Sequence, residues 1–211
     1  MRKLITTAVA VAALATLSGC EVDEAFGNDK SQSESSYTVT EPVRALDLDT
    51  KGGHVELIVS DSKTVKVTEK FSYSDDKPAT SHKVDGGELR LSGGGCDTGD
   101  CSVSYRIELP ADTELRVDSG GGHITGKELA GPARLRTEGG HVDVSFTRAP
   151  DRIYAASGGG DITVQVPSGP YSVSTDAEGG KSETAVDNDP KAKRKIETRS
   201  GGGDVKIAYT Q

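Results

Sequence analysis

Histidine and aspartate occupy matching positions directly after clusters of glycine. His123, His141 and Asp161 each follow such a cluster. If these segments stack in register, the three side chains form a column, and imidazole and carboxylate groups are ligands for a divalent metal. The simpler interpretation is an exposed position after a turn that accepts any polar residue, since Lys181 and Asp204 continue the pattern. We therefore predict no metal centre and no cofactor, with His123, His141 and Asp161 as candidate ligands for the alternative.

Cys20 lies at the end of an export signal. Arg2-Lys3 precedes an apolar run over residues 4–17, and small residues then lead to the cysteine. This order is that of the three regions of a secretory signal, and a run of 14 residues is shorter than the roughly 20 that a membrane-spanning helix needs. Leu17-Ser18-Gly19-Cys20 resembles the lipobox of bacterial lipoproteins, in which the cysteine is acylated and becomes the first mature residue. An ordinary signal peptide with a chance cysteine is the alternative.

The resemblance to a lipobox implies a location and a domain order. We expect a signal peptide over residues 1–19, palmitate or a related acyl chain on Cys20, and attachment to the outer face of the cell membrane. Stable anchoring takes more than one acyl chain. Residues 20–36 are acidic and rich in serine and predict a flexible tether. Residues 37–211 then form a β-repeat domain.

Charge excludes one class of partner. Removing residues 1–19 takes away two of the 25 basic residues and none of the 33 acidic ones, which leaves a net charge of −10. Nucleic acid demands a basic surface, so we expect no nucleic-acid partner. The same charge argues against adsorption of the domain to anionic lipid.

Cys96 and Cys101 are the two cysteines that remain. An even pair in an oxidising compartment predicts a disulfide, here across a short loop. Metal binding is the alternative, but two cysteines with no nearby histidine fit zinc poorly.

Apolar and polar residues alternate along short segments, as half-buried strands require. Glycine clusters recur every 18 to 23 residues, with their last glycines at 122, 140, 160, 180 and 203, and Gly52-Gly53 and Gly86-Gly87 are earlier copies. A period near 20 with two strands per unit is typical of a stacked array. We predict an all-β, β-solenoid or β-helix-like stack with Gly-rich turns, and an antiparallel β-sandwich is the alternative. The glycines are expected to supply positive φ angles at corners and close backbone approach.

The pattern resembles the bacterial putative-adhesin β-repeat family over roughly residues 40–209. The resemblance depends on Gly53-His54-Val55-Glu56-Leu57, Gly87-Glu88-Leu89-Arg90-Leu91, residues 103–110, and Leu115-Arg116-Val117 ahead of the Gly-rich repeats. It implies a β-solenoid-like fold and an envelope location, and it supplies no catalytic residues.

The residues predict no catalytic site, because hydrolase elbow, zinc-protease and phosphate-loop motifs are all missing from the sequence. We expect a non-enzymatic, adhesin-like or structural module that meets an envelope protein or polymer. A polysaccharide-acting enzyme and a ligand-binding lipoprotein are the alternatives. The one basic run, over residues 191–195, is a second candidate contact for an anionic polymer or lipid, although such a run is usually a solvated loop.

Overall fold

The computed structural model describes residues 30–96 and 100–210. The predicted signal peptide and Cys20 lie outside the described residues. Within them the chain is all-β, with seventeen strands and no helix. The described residues contain no helix that is long and apolar enough to cross a membrane.

The strands are short and alternate buried and exposed residues. In chain order they are β1 (Ser31–Val39), β2 (Ala45–Thr50), β3 (Val55–Val59), β4 (Val65–Tyr73), β5 (Thr80–Asp85), β6 (Glu88–Gly93), β7 (Cys101–Leu109), β8 (Glu114–Ser119), β9 (Ile124–Leu129), β10 (Ala133–Thr137), β11 (Val142–Phe146), β12 (Arg152–Ser157), β13 (Ile162–Val166), β14 (Ser172–Ala177), β15 (Ser182–Thr184), β16 (Lys195–Ser200) and β17 (Val205–Tyr209).

Two mixed sheets share one core and do not close on each other. The first has the order β1-β4-β7-β3-β9-β11-β13-β17-β15, and the second has the order β14-β16-β12-β10-β8-β2-β6-β5. Strands pair in parallel along most of both sheets, whereas β1, β4 and β7 in the first sheet and β5 and β6 in the second pair antiparallel. The predicted all-β class is confirmed, and the two sheets combine parallel and antiparallel strand pairs.

Successive strands alternate between the sheets from β6 onward. We call each second-sheet strand and the first-sheet strand that follows it a unit, as in β8 with β9. Equivalent residues of neighbouring units lie side by side, so that Val142 pairs with Ile124 on one side and Ile162 on the other. All three side chains are buried. The period-two alternation thus directs the apolar side chains of each strand into the core and the others to the outer face of the sheet.

The order of the units in space differs from their order in the chain at both ends. The β2–β3 unit lies between β6–β7 and β8–β9, and the β16–β17 unit lies between β12–β13 and β14–β15. Apolar content explains the second inversion. The β16–β17 unit buries Ile196, Val205 and Ile207, whereas Val173 of β14 is only partly buried. The more apolar unit therefore takes the interior position, which removes more apolar surface from water.

Two sequence predictions need correction here. The tether was expected to reach residue 36, but residues 31–36 belong to β1, which pairs with β4 along its length. Backbone hydrogen bonds suffice for such an edge strand, so its polar side chains need no core. Gly86-Gly87 is not a corner of the repeat: both residues have positive φ, 58° and 86°, and form the two-residue turn of the β5–β6 hairpin.

The predicted disulfide is confirmed. Cys96 and Cys101 are bonded, with their Cα atoms 6.0 Å apart. Residues 97–99 of the loop lie outside the described part. The bond joins the residues that follow β6 to the start of β7, and so connects the two sheets at this end of the stack.

Candidate functional site

The glycine clusters form columns where the chain crosses from the second sheet to the first. A Cβ added to Gly140 would overlap the carbonyl group of Gly122, and one added to Gly160 would overlap that of Gly140. Close approach, the second predicted role of these glycines, is therefore confirmed. The other predicted role, a positive φ angle, is wrong for most of these glycines, since Gly53 is the only corner glycine of the described chain with a positive φ. Stacking of backbone on backbone, and not turn conformation, is what demands glycine.

Beside the glycines runs a column of buried hydroxyls. Ser157 accepts a hydrogen bond from the N–H of Gly160 in its own unit and donates one to the carbonyl of Gly140 in the next, both at 2.7 Å. Thr137 makes the equivalent pair of bonds to Gly140 and Gly122. Ser200 repeats the arrangement with its own glycine and Gly160. Each hydroxyl thus satisfies backbone groups that the tight corner takes away from water.

The structure brings His123, His141 and Asp161 together in one column, in which His123 is half-buried and the other two are exposed. Nδ1 of His123 accepts a hydrogen bond from the backbone N–H of His141 at 2.8 Å, and Nδ1 of His141 accepts one from Asp161 at 2.8 Å. His54 precedes His123 in the same manner. Adjacent imidazoles stack with ring centroids 4.8 Å apart. Asp204 and then Lys181 continue the column, an order that follows the spatial sequence of the units.

We call this column the histidine ladder, because each of its histidines accepts a hydrogen bond from the backbone N–H at the corner of the neighbouring unit. Accepting a backbone N–H through Nδ1 uses the lone pair of that nitrogen, so these hydrogen bonds form with the tautomer that carries its proton on Nε2. A metal ion could take Nδ1 of these imidazoles only by displacing the backbone N–H, because this nitrogen has a single lone pair. Among residues 30–96 and 100–210, no group of three His, Cys, Asp or Glu side chains has the arrangement of a metal site.

The histidine ladder predicts a dependence of stability on pH. Burial, followed by the neighbouring His54 and His141, lowers the pKa of His123 below its ordinary value. The unfolded chain therefore binds this proton more readily. The contribution of His123 to stability is fully present above about pH 6.5, the pKa of histidine in an unfolded chain. It is lost as the pH falls from there through the folded-state pKa. We expect the urea midpoint to be lower at pH 5.5 than at pH 7.5.

A variant can isolate this effect. Asparagine in His123→Asn keeps a side-chain acceptor for the backbone N–H but does not titrate, so the fall between pH 7.5 and pH 5.5 should shrink. The control is His82→Asn, because His82 stacks on Tyr37 away from the ladder. If His123→Asn loses as much stability on acidification as the unmodified chain, His123 is not the group responsible.

Basic side chains gather on the outer face of the second sheet. They project from β8, β10, β12 and β16, whose alternate residues Leu115, Leu135, Ile153 and Ile196 are buried. We call this surface the basic face, and its members are Arg116, Arg134, Arg136, Arg152, Tyr154, Lys195 and Arg199. All are exposed except Tyr154, which is half-buried. The guanidinium of Arg134 lies over the Tyr154 ring, 4.4 Å from its centroid.

The strand register sets two pairs of like charges side by side on this face. Arg116 lies directly opposite Arg134, and Arg152 lies opposite Lys195. The register also sets three pairs of opposite charge: Arg116 with Asp47, Arg136 with Asp118 and Arg199 with Asp176. Among the described residues, Arg199 is the one member with a carboxylate oxygen within 4.0 Å, that of Glu197 at 2.8 Å. Open grooves of about 400 and 520 Å³ run between the side chains, and the larger one is also lined by Glu138, Asp176 and Glu178. The surface can therefore receive anions along a flat strip.

Sequence reasoning overlooked the basic face. It singled out the run over residues 191–195, of which residues 191–194 form an exposed connection between β15 and β16, and only Lys195 reaches the face. The sequence did indicate part of it, because the alternation of apolar and polar residues in β10 directs Arg134 and Arg136 to the same, outer side of the strand. Their neighbours could be assigned only once the register of the strands was known.

Glu69 is the one carboxylate among the buried residues of the described chain. It accepts hydrogen bonds from the hydroxyls of Tyr37 at 3.1 Å and Thr80 at 2.9 Å. Burial, with the charge of Glu69 in addition, raises the pKa of the Tyr37 and Tyr105 phenols. These groups belong to the antiparallel end of the stack, where they fill its interior, and they lie apart from the basic face.

Comparison with protein-family models and with curated proteins finds no match. Solved structures do match. A putative cell adhesion protein from Clostridium sporogenes has a TM-score of 0.68 at 20% identity, over 85% of this chain and all of that one. A putative adhesin from Bacteroides fragilis has a TM-score of 0.35 at 14% identity, over 87% of this chain and 99% of that one. The Clostridium structure establishes a shared fold, and at the level of fold it confirms the resemblance to putative adhesins.

Proposed function

We propose that the chain is a lipid-anchored, non-enzymatic interaction module on the extracytoplasmic face of the bacterial cell membrane. Its units form a β-solenoid-like stack whose flat outer faces meet an envelope protein or polymer. The observation that carries this proposal is the basic face, an ordered array of exposed side chains with no deep cleft and no converging carboxylates among its members. The description of the Clostridium sporogenes protein as a putative cell adhesion protein supports an adhesin-like role.

The anchor rests on the sequence around Cys20 and can be tested by fractionation. Acylation should hold the native chain in the membrane fraction, and Cys20→Ala should release it, because the acyl chains supply the membrane affinity. Cys101→Ser removes a different cysteine and should leave the chain in the membrane fraction. Equal recovery of the Cys20→Ala protein from membranes would contradict the anchor.

The interaction role calls for capture from the native envelope. The anchored chain should retain a specific envelope component, and Arg134→Gln with Arg152→Gln should reduce that retention if the basic face makes the contact. The matched control is Lys127→Gln with Lys206→Gln, which removes two exposed charges from the outer face of the first sheet. Recovery of no specific component, or release of new sugar ends from envelope polysaccharide, would overturn the proposal.

A further inference from the structure

The basic face has a charge opposite in sign to that of the whole chain. The outward positions of β8, β10, β12 and β16 are Glu114, Arg116, Asp118, Arg134, Arg136, Arg152, Tyr154, Ala156, Lys195, Glu197 and Arg199, which include six basic residues and three acidic ones. The complete chain has a net charge of −8. Concentration of positive charge on one strip of an acidic protein favours an anionic ligand at that strip.

Folding accounts for the pairs of opposite charge on this face, Arg116 with Asp47, Arg136 with Asp118 and Arg199 with Asp176, but not for its pairs of like charge. Like charges directly opposite each other on neighbouring strands are destabilising, and the pairs Arg116–Arg134 and Arg152–Lys195 are of this kind. Carboxylates within 4.0 Å could offset the repulsion, but in the described chain none lies that close to any of these four. A bound oxyanion between the strands would neutralise them.

We propose that the basic face binds a linear anionic polymer laid across β8, β10, β12 and β16. Neighbouring strands lie about 4.8 Å apart, so these four strands offer cationic groups over roughly 14 Å. Arginine suits such a ligand, since its planar guanidinium binds carboxylate or phosphate through two parallel hydrogen bonds. The Tyr154 ring lies under the guanidinium of Arg134 and holds that arginine on the face. The proposal rests on the proposed function and specifies its ligand class.

Charge favours a thin polymer over a lipid surface. At physiological salt, exposed charges are screened beyond about 8 Å, so a narrow chain on the strip is shielded from most of the acidic surface. An anionic membrane is a plane that would approach the acidic residues around the strip as well. Membrane-surface binding also draws on inserted apolar side chains, whereas Tyr154 is the only large apolar group of the basic face.

Binding of defined polymers by the full-length purified chain tests the proposal. The probes are polygalacturonate for carboxylate, long-chain inorganic polyphosphate for phosphate, and neutral dextran. We expect one or both anionic polymers to bind, with affinity falling steeply between about 50 and 200 mM salt, and dextran not to bind. Arg134→Gln with Arg152→Gln should weaken binding about tenfold or more, since two charge-assisted contacts are lost. Lys127→Gln with Lys206→Gln should change it little.

Three results would overturn the proposal. One is no binding to either anionic polymer at low salt, and another is an equal loss in the two double variants, which would indicate non-specific attraction. The third is binding to phosphatidylglycerol vesicles but not to the polymers, which would make a membrane the ligand. Folding is checked by the urea midpoint, which Arg134→Gln with Arg152→Gln should leave unchanged or raised because like-charge repulsion is relieved. Capture of a neutral envelope component alone would leave the proposed function standing while refuting the polyanion.

Discussion

Gly140→Ala is expected to lower the free energy of unfolding by about 3 kcal/mol or more, above the usual range for an overpacked site. The added Cβ would overlap the carbonyl of Gly122 and approach the backbone nitrogen of His123. Both obstacles are backbone, so no rotamer change can relieve the overlap. The neighbouring units would have to separate, which would weaken the hydroxyl and histidine columns together. Urea unfolding followed by circular dichroism measures the loss.

The adjacent glycine provides a matched control for this prediction. A Cβ at Gly139 would have its nearest neighbour, the Gly121 carbonyl oxygen, 3.9 Å away, an ordinary van der Waals contact. Neither glycine has positive φ, so the two variants change the unfolded chain alike and differ in close approach alone. Gly139→Ala should remain within about 0.5 kcal/mol of the unmodified chain, as is usual at open surface sites. Equal losses at both positions would contradict the account of the corner.

Much of the fold could be predicted from period and alternation because both are local properties of the chain. The strand character of Val142–Phe146 and its neighbours follows from one apolar residue in two. The corner glycines followed from their spacing. The exchange of order between the β14–β15 and β16–β17 units could not be predicted, because both units satisfy the same period. Apolar content accounts for the order once it is known: the unit that contains Ile196 lies inside, and the unit that contains Val173 lies at the edge.

The polar sites divide in the same way. The column of His123, His141 and Asp161 followed from their matching positions after glycine, whereas its role as a hydrogen-bond ladder depended on atomic distances. The basic face depends on register between strands that are 18 to 43 residues apart in the chain, as Arg116 to Arg134 and Arg152 to Lys195. A sequence read one segment at a time has no means of pairing such residues.

Thr137→Val is expected to lower the free energy of unfolding by about 2–4 kcal/mol, because two buried backbone groups lose their partner at roughly 1–3 kcal/mol each. The Thr137 hydroxyl donates to the Gly122 carbonyl at 2.8 Å and accepts from the Gly140 N–H at 3.1 Å. The residue is 1% exposed, so water cannot replace the hydroxyl without opening the corner. Valine has nearly the same shape, and packing changes little. The loss therefore measures the hydrogen bonds, and urea unfolding reports it.

The same substitution at Thr198 should have the opposite sign. Thr198 is also 1% exposed, but its hydroxyl has no hydrogen-bond partner among the described residues. Burying an unpaired hydroxyl costs free energy, so Thr198→Val should raise stability by about 1 kcal/mol as that cost is removed. Both sites lie on second-sheet strands and undergo the same change of atoms, so differences in β propensity largely cancel. If both variants lose stability equally, packing of the threonine and not the hydroxyl column governs the corner. Opposite signs would show that the column holds the units together through its hydrogen bonds.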